Sequence, residues 1–265
     1  MVKSTTITFM VLAAVICAVF PIALIVYFRK KEKISLKPVF IGMAVFIVFT
    51  QILEKTLHSI VIGGNLITNP ILFSVYGALA AGVFEETGRF IAFKTVLKDK
   101  HEWKDGLAYG IGHGGIEAIF IGALTSIEYI IYSNLINSGK FDALLKSKIP
   151  ASQIAQLKQV KQSLIQMTPS ATVITILERI FAFGIQLGLT MVVLYAIRNR
   201  KNIYLFLAIL LHALVDFPAV LYQTKIIKSI YVVEGIIALE FILAIVFVVK
   251  TKKIFKKEDI INSDL

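Results

Sequence analysis

Long apolar runs, separated by short polar or basic gaps, make up most of this chain. Most runs reach about 20 residues, the length that an α-helix needs to cross a hydrocarbon core about 30 Å thick. The runs do not alternate polar and apolar residues as the strands of a membrane barrel do. The pattern therefore predicts an all-α, polytopic transmembrane helical bundle of about seven spans. These spans run from about Thr5 to Phe28, Val39 to Ile60, Asn69 to Leu97, Gly106 to Leu135, Ala171 to Ile197, Tyr204 to Tyr222 and Ile230 to Val249.

The composition supports a single membrane domain. Of the 265 residues, 57% are hydrophobic, which exceeds the roughly 45–50% of soluble domains, and the mean hydropathy is +0.80. We expect one integral membrane domain over residues 1–265 and no large soluble domain. Cys17 is the only cysteine, so an intramolecular disulfide and a Cys-rich zinc site are excluded.

The net charge of +11 comes from Lys and Arg residues that gather in alternate gaps. The strongly basic gaps are Arg29–Lys37, Lys94–Lys104, Arg198–Lys201 and Lys250–Lys257. Cytoplasmic loops carry such an excess, and anionic lipid attracts it. We therefore expect the N-terminus outside, the C-terminus in the cytoplasm, the lipid bilayer as a partner, and no binding of nucleic acid.

A polar segment at about 136–170 interrupts the series of spans. Its apolar residues recur at roughly helical spacing among lysines and glutamines, which predicts two short amphipathic helices separated near Pro150. Such helices would lie on the outer membrane surface. We interpret the segment as an interfacial insertion, and a lid over a substrate entrance is the alternative.

Ionisable residues interrupt three of the predicted spans, in groups whose members lie about one helical turn apart. A charge near the bilayer centre costs roughly 2.5–3.5 kcal/mol on insertion scales, so a buried functional site is the default interpretation. At a rise of about 1.5 Å per residue, they lie at similar depths, about 10–13 Å from the cytoplasmic side, and we expect them to converge. The groups are Glu85 and Glu86 with Arg89, His113 with Glu117, and His212 with Asp216.

Glycines surround one of these histidines. Gly106, Gly110 and Gly114 form a stripe at four-residue spacing around His113, and such stripes permit close helix approach in membranes. We interpret the stripe as a packing seam and the histidine within it as part of a tight site.

Three runs carry a resemblance to a known family. They are FEETGRF at 84–90, GHGGIEA at 112–118 and HALVDF at 212–217. Their order and their placement within membrane helices resemble the YhfC family, which is grouped with the CAAX-prenyl-protease-like and PrsW-like intramembrane peptidases. The resemblance covers nearly the whole chain. It implies a multi-pass protein of the bacterial plasma membrane that hydrolyses peptide bonds of membrane-embedded or membrane-proximal substrates.

The resemblance also implies roles for individual residues. Glu85 would activate a water together with a histidine, for which His113 is the candidate, while the last motif would help to stabilise an oxyanion. Apart from the resemblance, Glu178 forms a charged pair with Arg179 inside the apolar fifth span, and we add it to the predicted site. The predicted catalytic residues are Glu85, Glu86, His113 and His212, and the predicted orienting or substrate-binding residues are Arg89, Glu117, Asp216 and Glu178.

No cofactor is favoured by the sequence, although a divalent metal such as zinc is a competing chemistry. Its ligands would be His113, Glu117, His212 and Asp216, but the zinc motif His-Glu-x-x-His is absent. Two other function classes stay open beside the peptidase. One is a secondary transporter or proton-coupled carrier with buried carboxylates, and the other is a non-catalytic membrane partner protein. The sequence carries no signal for an oligomeric state.

Overall fold

Helices account for all the regular structure in the part of the chain that the computed structural model describes, which is residues 1–143 and 151–263, with the side chains of 1–143 and 154–257. The all-α prediction is confirmed, and each of the seven predicted spans corresponds to one helix. In chain order the helices are α1 (Ser4–Lys31), α2 (Leu36–Gly63), α3 (Pro70–Lys94), α4 (Trp103–Asn137), α5 (Ala151–Gln166), α6 (Pro169–Arg198), α7 (Ile203–Gln223) and α8 (Ile230–Ser263).

Helix α8 is the one whose end departs clearly from the prediction. It was expected to stop near Val249, where the apolar run gives way to lysines, but it continues to Ser263. Lysine and glutamate are good helix formers, and no Gly or Pro follows to end the helix. The end of an apolar run therefore marked the limit of hydrophobicity and not the limit of the helix.

Six of the described helices are long and apolar enough to cross a membrane; α3 and α5 are not among them. Helix α3 has 25 residues, which is enough to cross a core about 30 Å thick. Its C-terminal half, however, carries Glu85, Glu86 and Arg89, which lower its hydropathy. The count of about seven spans and the orientation of the two termini therefore stay predictions.

The chain divides into two compact units. One comprises Met1–Phe20 and Ala118–Ile180, and the other comprises Pro21–Glu117 and Phe181–Leu265. Three helices, α1, α4 and α6, contribute residues to both units. All the residues that matter most for the candidate site lie in the second unit.

In the first unit, polar contacts and a small apolar core hold the helix ends together. The backbone N–H of Val2 donates to Asn137 Oδ1 at 2.7 Å, and Asn137 Nδ2 donates back to the Val2 carbonyl at 2.9 Å. Helix α5 occupies the second part of the predicted polar insertion and buries Leu164 against Val2 and Met10. The first part of that insertion, 144–150 with Pro150, lies outside the described residues.

In the second unit, glycines allow the helices to approach closely. A Cβ added at Gly112 would collide with the backbone of Val39 in α2, and one at Gly82 in α3 would meet the Ile209 carbonyl of α7 at 2.6 Å. The predicted seam is also present. Gly110 lies against Leu187 of α6, where an added Cβ would be 3.2 Å from its Cα atom. These approaches bring α2, α3, α4, α6 and α7 close enough for their polar side chains to meet.

Two of the helices change locally from α to π geometry. In α2 the π segment is Phe46–Glu54, and in α4 it is Ala118–Leu124. Such segments shift the register of the side chains and are frequent at functional sites. The ring of Phe46 lies edge-on against the ring of His113, with centroids 5.4 Å apart, and Glu117 directly precedes the second π segment.

Candidate active site

Four helices, α3, α4, α6 and α7, bring a set of polar side chains into contact inside the second unit. Seven of the eight predicted site residues belong to it, and α6 adds one residue that was not predicted. Glu86, Arg89 and His113 are completely buried, and the side chain of Asp216 is the most accessible, at 38%. We call this set the polar cluster; it consists of Glu85, Glu86, Arg89, His113, Glu117, Gln186, His212 and Asp216.

Glu85 is at the centre of the contacts within the polar cluster. Its Oε2 atom lies 2.8 Å from His113 Nε2 and accepts a hydrogen bond from Gln186 Nε2 at 2.9 Å. Since an ionised carboxylate can only accept, His113 donates through Nε2. The other ring nitrogen, Nδ1, is buried without a hydrogen-bond partner among the described residues. The sequence-based pairing of Glu85 with His113 therefore corresponds to a direct contact.

Glu86 has a different set of partners from its neighbour Glu85. Arg89 Nη1 donates to both of its oxygens at 3.0 Å, and His212 Nδ1 lies 2.6 Å from Oε1. Charge-assisted contacts of this kind fix side chains firmly. Glu86 therefore holds Arg89 and His212 in place and has little capacity left for a substrate.

His212 presents its second ring nitrogen to the remaining acidic groups. Nε2 lies 3.5 Å from Asp216 Oδ2 and 3.9 Å from Glu85 Oε2. With Nδ1 donating to Glu86, the neutral ring has its lone pair on Nε2. This nitrogen can therefore take up or release a proton on the side of the cluster that is most accessible, where Asp216 lies.

Gln186 is the residue that sequence reasoning missed. Its Oε1 accepts a hydrogen bond from Arg89 Nη2, and its Nε2 donates to Glu85 Oε2 and to Glu117 Oε2, each at 2.9 Å. Because the guanidinium can only donate, the orientation of the amide is fixed. A single amide in the apolar middle of α6 is a usable signal, but it is neither charged nor a histidine, the residue types from which the site was predicted.

Glu178 is the predicted site residue that the contacts do not join to the polar cluster. It belongs to the first unit, and its Oε1 accepts a hydrogen bond from the adjacent Arg179 at 2.6 Å. Its side chain is 31% exposed. Adjacent helical residues point about 100° apart, so this pair forms where two long side chains bend toward one another. A role for Glu178 in the site stays a prediction.

One group of side chains in the cluster is arranged as a metal site would be. Glu85, His113 and Glu117 are buried, and each offers a ligand atom within 4.8 Å of the other two. Two of them were in the predicted metal set, and Glu85 takes the place of the pair from α7. His212 instead directs Nδ1 to Glu86 and Nε2 toward Asp216.

The charge of the polar cluster also matters for what it can bind. It contains four carboxylates, from Glu85, Glu86, Glu117 and Asp216, and one guanidinium, from Arg89. Buried charges without compensation are costly in a low-dielectric surrounding. A cation or bound protons would reduce this excess of negative charge.

Comparisons with known proteins agree with the motifs. The YhfC intramembrane metalloprotease family matches residues 16–237. The chain is also 41% identical over 261 residues to "Uncharacterized membrane protein YhfC" of Bacillus subtilis (strain 168), a match that covers 97% of this chain and 100% of that relative. No solved structure matches the chain.

Proposed function

Because the chain belongs to the YhfC intramembrane metalloprotease family, we propose that it is a peptidase that hydrolyses peptide bonds of membrane-embedded or membrane-proximal substrates at the polar cluster. We further propose that Glu85, His113 and Glu117 hold a divalent metal ion such as zinc. The bacterial plasma membrane is the proposed location. The observation that carries the proposal is the closeness of these three buried side chains, whose ligand atoms lie within 4.8 Å of one another.

The donor set suits a divalent ion on three grounds. Imidazole nitrogen and carboxylate oxygen are ligands that zinc and related ions accept, and three protein ligands leave room for water or substrate in a catalytic site. The group is buried, and the excess of carboxylates over guanidinium favours a cation. Gln186 holds two of the three side chains by hydrogen bonds, which is the kind of support that metal ligands require.

A divalent ion held there would supply Lewis acidity, which activates water and polarises a carbonyl oxygen. The protein's own residues then move the protons. Nε2 of His212 takes a proton from the attacking water as its oxygen adds to the scissile carbonyl carbon. The same nitrogen returns that proton to the leaving nitrogen as the C–N bond breaks, so that the proton count balances.

Glu86 and Arg89 support this role of His212. The 2.6 Å contact between Glu86 Oε1 and His212 Nδ1 fixes the ring orientation and stabilises the imidazolium that forms after proton uptake, as a carboxylate does behind a catalytic histidine. Arg89 in turn neutralises Glu86 through its two 3.0 Å hydrogen bonds. Asp216, which is partly exposed beside Nε2, stabilises the charged ring on the side from which a substrate can arrive.

The test compares new protein N-termini in membranes of cells that express either the wild-type chain or Glu85→Gln at equal abundance. A terminus that appears only with wild type identifies a candidate substrate, and cleavage is then reproduced with purified protein in lipid nanodiscs. Metal content is measured on the same samples by elemental analysis. We expect about one equivalent of a divalent metal in wild type and a loss of metal in His113→Ala.

Glu102→Gln is the matched control, because Glu102 is an exposed glutamate paired with Lys104 at 2.7 Å. It should cleave and bind metal as wild type does. Cleavage that depends on Glu85 but proceeds without metal would replace the metal mechanism by a glutamic one. Equal N-termini in all samples, together with substrate leakage from proteoliposomes, would replace the peptidase by a carrier.

A further inference from the structure

A second polar chain, separate from the polar cluster, links α2 and α3 in the same unit. His58 Nδ1 lies 2.8 Å from the Tyr76 hydroxyl, and His58 Nε2 lies 3.2 Å from Glu54 Oε1. The rings of His58 and Tyr76 are also in contact, with centroids 5.4 Å apart. Three side chains that can each gain or lose a proton are thus connected in one line.

Glu54 is the inner end of this line. It ends the π segment of α2 and is 5% exposed, whereas Leu53 is 43% exposed. Its second oxygen, Oε2, is buried and has no hydrogen-bond partner among the described residues. The charges that act on its carboxylate from the neighbouring helices are those of Glu85 in α3, Glu117 in α4, and His212 and Asp216 in α7. The π segment that Glu54 ends packs against α3 and α4, so the Glu54 carboxylate is near enough to the polar cluster for their charges to interact in a low-dielectric surrounding.

Tyr76 and His58 form the outer end. Both are half-buried, and the side chain of His58 is 28% exposed. At about 1.5 Å per residue, each lies roughly 8–9 Å from the connection between Gly63 and Pro70, while Glu54 lies roughly 13 Å from it. Tyr76 and His58 thus lie at a similar depth below the helix ends, and Glu54 lies deeper than both.

The hydrogen bonds of this line can run in either of two directions. When Glu54 is ionised, Tyr76 donates to Nδ1 of His58, and Nε2–H donates to Glu54. When Glu54 is protonated, it donates to Nε2, and Nδ1–H donates to the Tyr76 oxygen. The two arrangements differ by one proton on Glu54 and by the tautomer of His58.

We propose that Tyr76, His58 and Glu54 form a proton-transfer path that carries protons between water at the Gly63–Pro70 connection and the buried carboxylate of Glu54, whose charge acts on the polar cluster. In the inward direction, Tyr76 takes a proton from a hydronium ion, which becomes water, and passes its own proton to Nδ1, while Nε2 passes its proton to Glu54 Oε1. Tyr76 ends as a phenol, His58 stays neutral, and Glu54 changes from carboxylate to carboxylic acid, so that one proton is gained. The reverse sequence releases it.

The purpose of the path rests on the proposed function. A buried site that holds a cation and forms an oxyanion redistributes charge during its reaction, and a nearby group that exchanges protons with water can offset that redistribution. Glu54 is placed to do so without contacting the reacting atoms. Glu54 therefore acts through the charge of the site and is a positioning residue, not a catalytic residue.

The first test does not depend on proteolysis. The chain has four histidines, so ring ¹⁵N spectra of histidine-labelled protein in lipid nanodiscs are simple, and His58→Gln identifies the His58 signals. We expect the His58 ring to carry its proton on Nε2 at high pH and on Nδ1 at lower pH. Glu54→Gln should abolish this change of tautomer, whereas the control Glu102→Gln should leave it as in wild type.

Tyr76→Phe tests the outer end. It keeps both rings in place and removes the hydroxyl, so exchange of the His58 ring proton with water should slow by about tenfold or more. Exchange at the wild-type rate would remove Tyr76 from the path. A His58 ring that becomes doubly protonated instead of changing tautomer, or that changes tautomer normally in Glu54→Gln, would overturn the proposal.

The coupling to the cluster is read from the pH profile of kcat/KM. Glu54→Gln should lose one of the ionisations that shape this profile, while Glu102→Gln should keep all of them. A purely structural role of Glu54 would instead lower kcat/KM equally at every pH. A profile of unchanged shape would overturn the coupling. Absence of cleavage in wild type would instead contradict the peptidase proposal, and the tautomer test would stand independently.

Discussion

Two Glu–Arg pairs within apolar helices of this protein have very different surroundings. Arg89 is completely buried, contacts Glu86 one turn away, and reaches Gln186 on another helix. Arg179 contacts the adjacent Glu178, and both side chains of that pair keep some exposure, 12% and 31%. The residue types are the same in both places, and each pair interrupts an apolar run.

The difference teaches that a charge inside an apolar run does not by itself identify a site. What distinguishes the Arg89 region is that four helices deliver complementary donors and acceptors to one buried place, and that glycines let their backbones approach. A partly exposed pair gains little from its contact and tolerates loss of a partner. A buried and shared network does not, because each deletion leaves other groups unpaired.

The largest effect should come from Glu85→Gln, which removes the charge at the centre of the polar cluster. Its Oε2 contacts both His113 and Gln186 and belongs to the proposed metal group. We expect kcat to fall by at least about 10³-fold, measured as single-turnover cleavage in nanodiscs. Thermal unfolding of the variant serves as the folding control. Cleavage within about tenfold of wild type would contradict the central role of this residue.

Glu86→Gln should have the next largest effect, and it should separate proton transfer from metal binding. Without the carboxylate, His212 loses its orienting partner and Arg89 loses its counter-charge. We expect kcat to fall about 10²–10⁴-fold, with metal content close to that of wild type because Glu86 lies outside the metal group. Loss of metal together with activity would show that the Glu86–His212 pair and the proposed metal group do not act separately.

Gly112→Ala should break the convergence of helices without touching an ionisable group. The new Cβ would collide with the backbone of Val39, and overpacking of this kind costs about 1–3 kcal/mol. Gly63→Ala is the matched control, because nothing lies within 4 Å of a Cβ at that position. The midpoint of thermal unfolding in detergent should fall for the first variant and stay near wild type for the second.

Gln186→Leu should weaken the metal site. The two hydrogen bonds that Gln186 donates to Glu85 and Glu117 are lost, and removal of such supporting contacts lowers metal affinity about 10–100-fold. Competition with a chelator measures the affinity directly. Wild-type affinity in this variant would show that the ligand side chains keep their positions without the amide.

The smallest effect is expected from Glu178→Gln, on the other side of the comparison. Its contact with Arg179 is a partly exposed ion pair, which is worth less than about 1 kcal/mol. The corresponding decrease in kcat/KM should be no more than roughly fivefold. The same cleavage assay gives the value. A loss of 10²-fold or more would place Glu178 in the active site and would restore the sequence-based prediction of its role.

The helices themselves follow directly from the sequence. The apolar runs predicted seven helical segments, and six of them end within a few residues of the observed helices, as for α7 (Ile203–Gln223) against the predicted Tyr204–Tyr222. This works because hydrophobicity over about 20 residues is a local property, and a helix satisfies its own backbone hydrogen bonds. For the same local reason, pairs one turn apart such as Glu86 and Arg89 were recognised as neighbours.

Contacts between helices were decided only by the tertiary structure. The sequence placed Glu85 and His113 at a similar depth, but depth does not reveal which way a side chain points. The π segments in α2 and α4 change the register of the residues that follow. The periodicity of the sequence did not predict these segments. The burial of Glu54 depends on the π segment that it ends, and the bridging contacts of Gln186 depend on how closely glycines such as Gly114 let the helices pack.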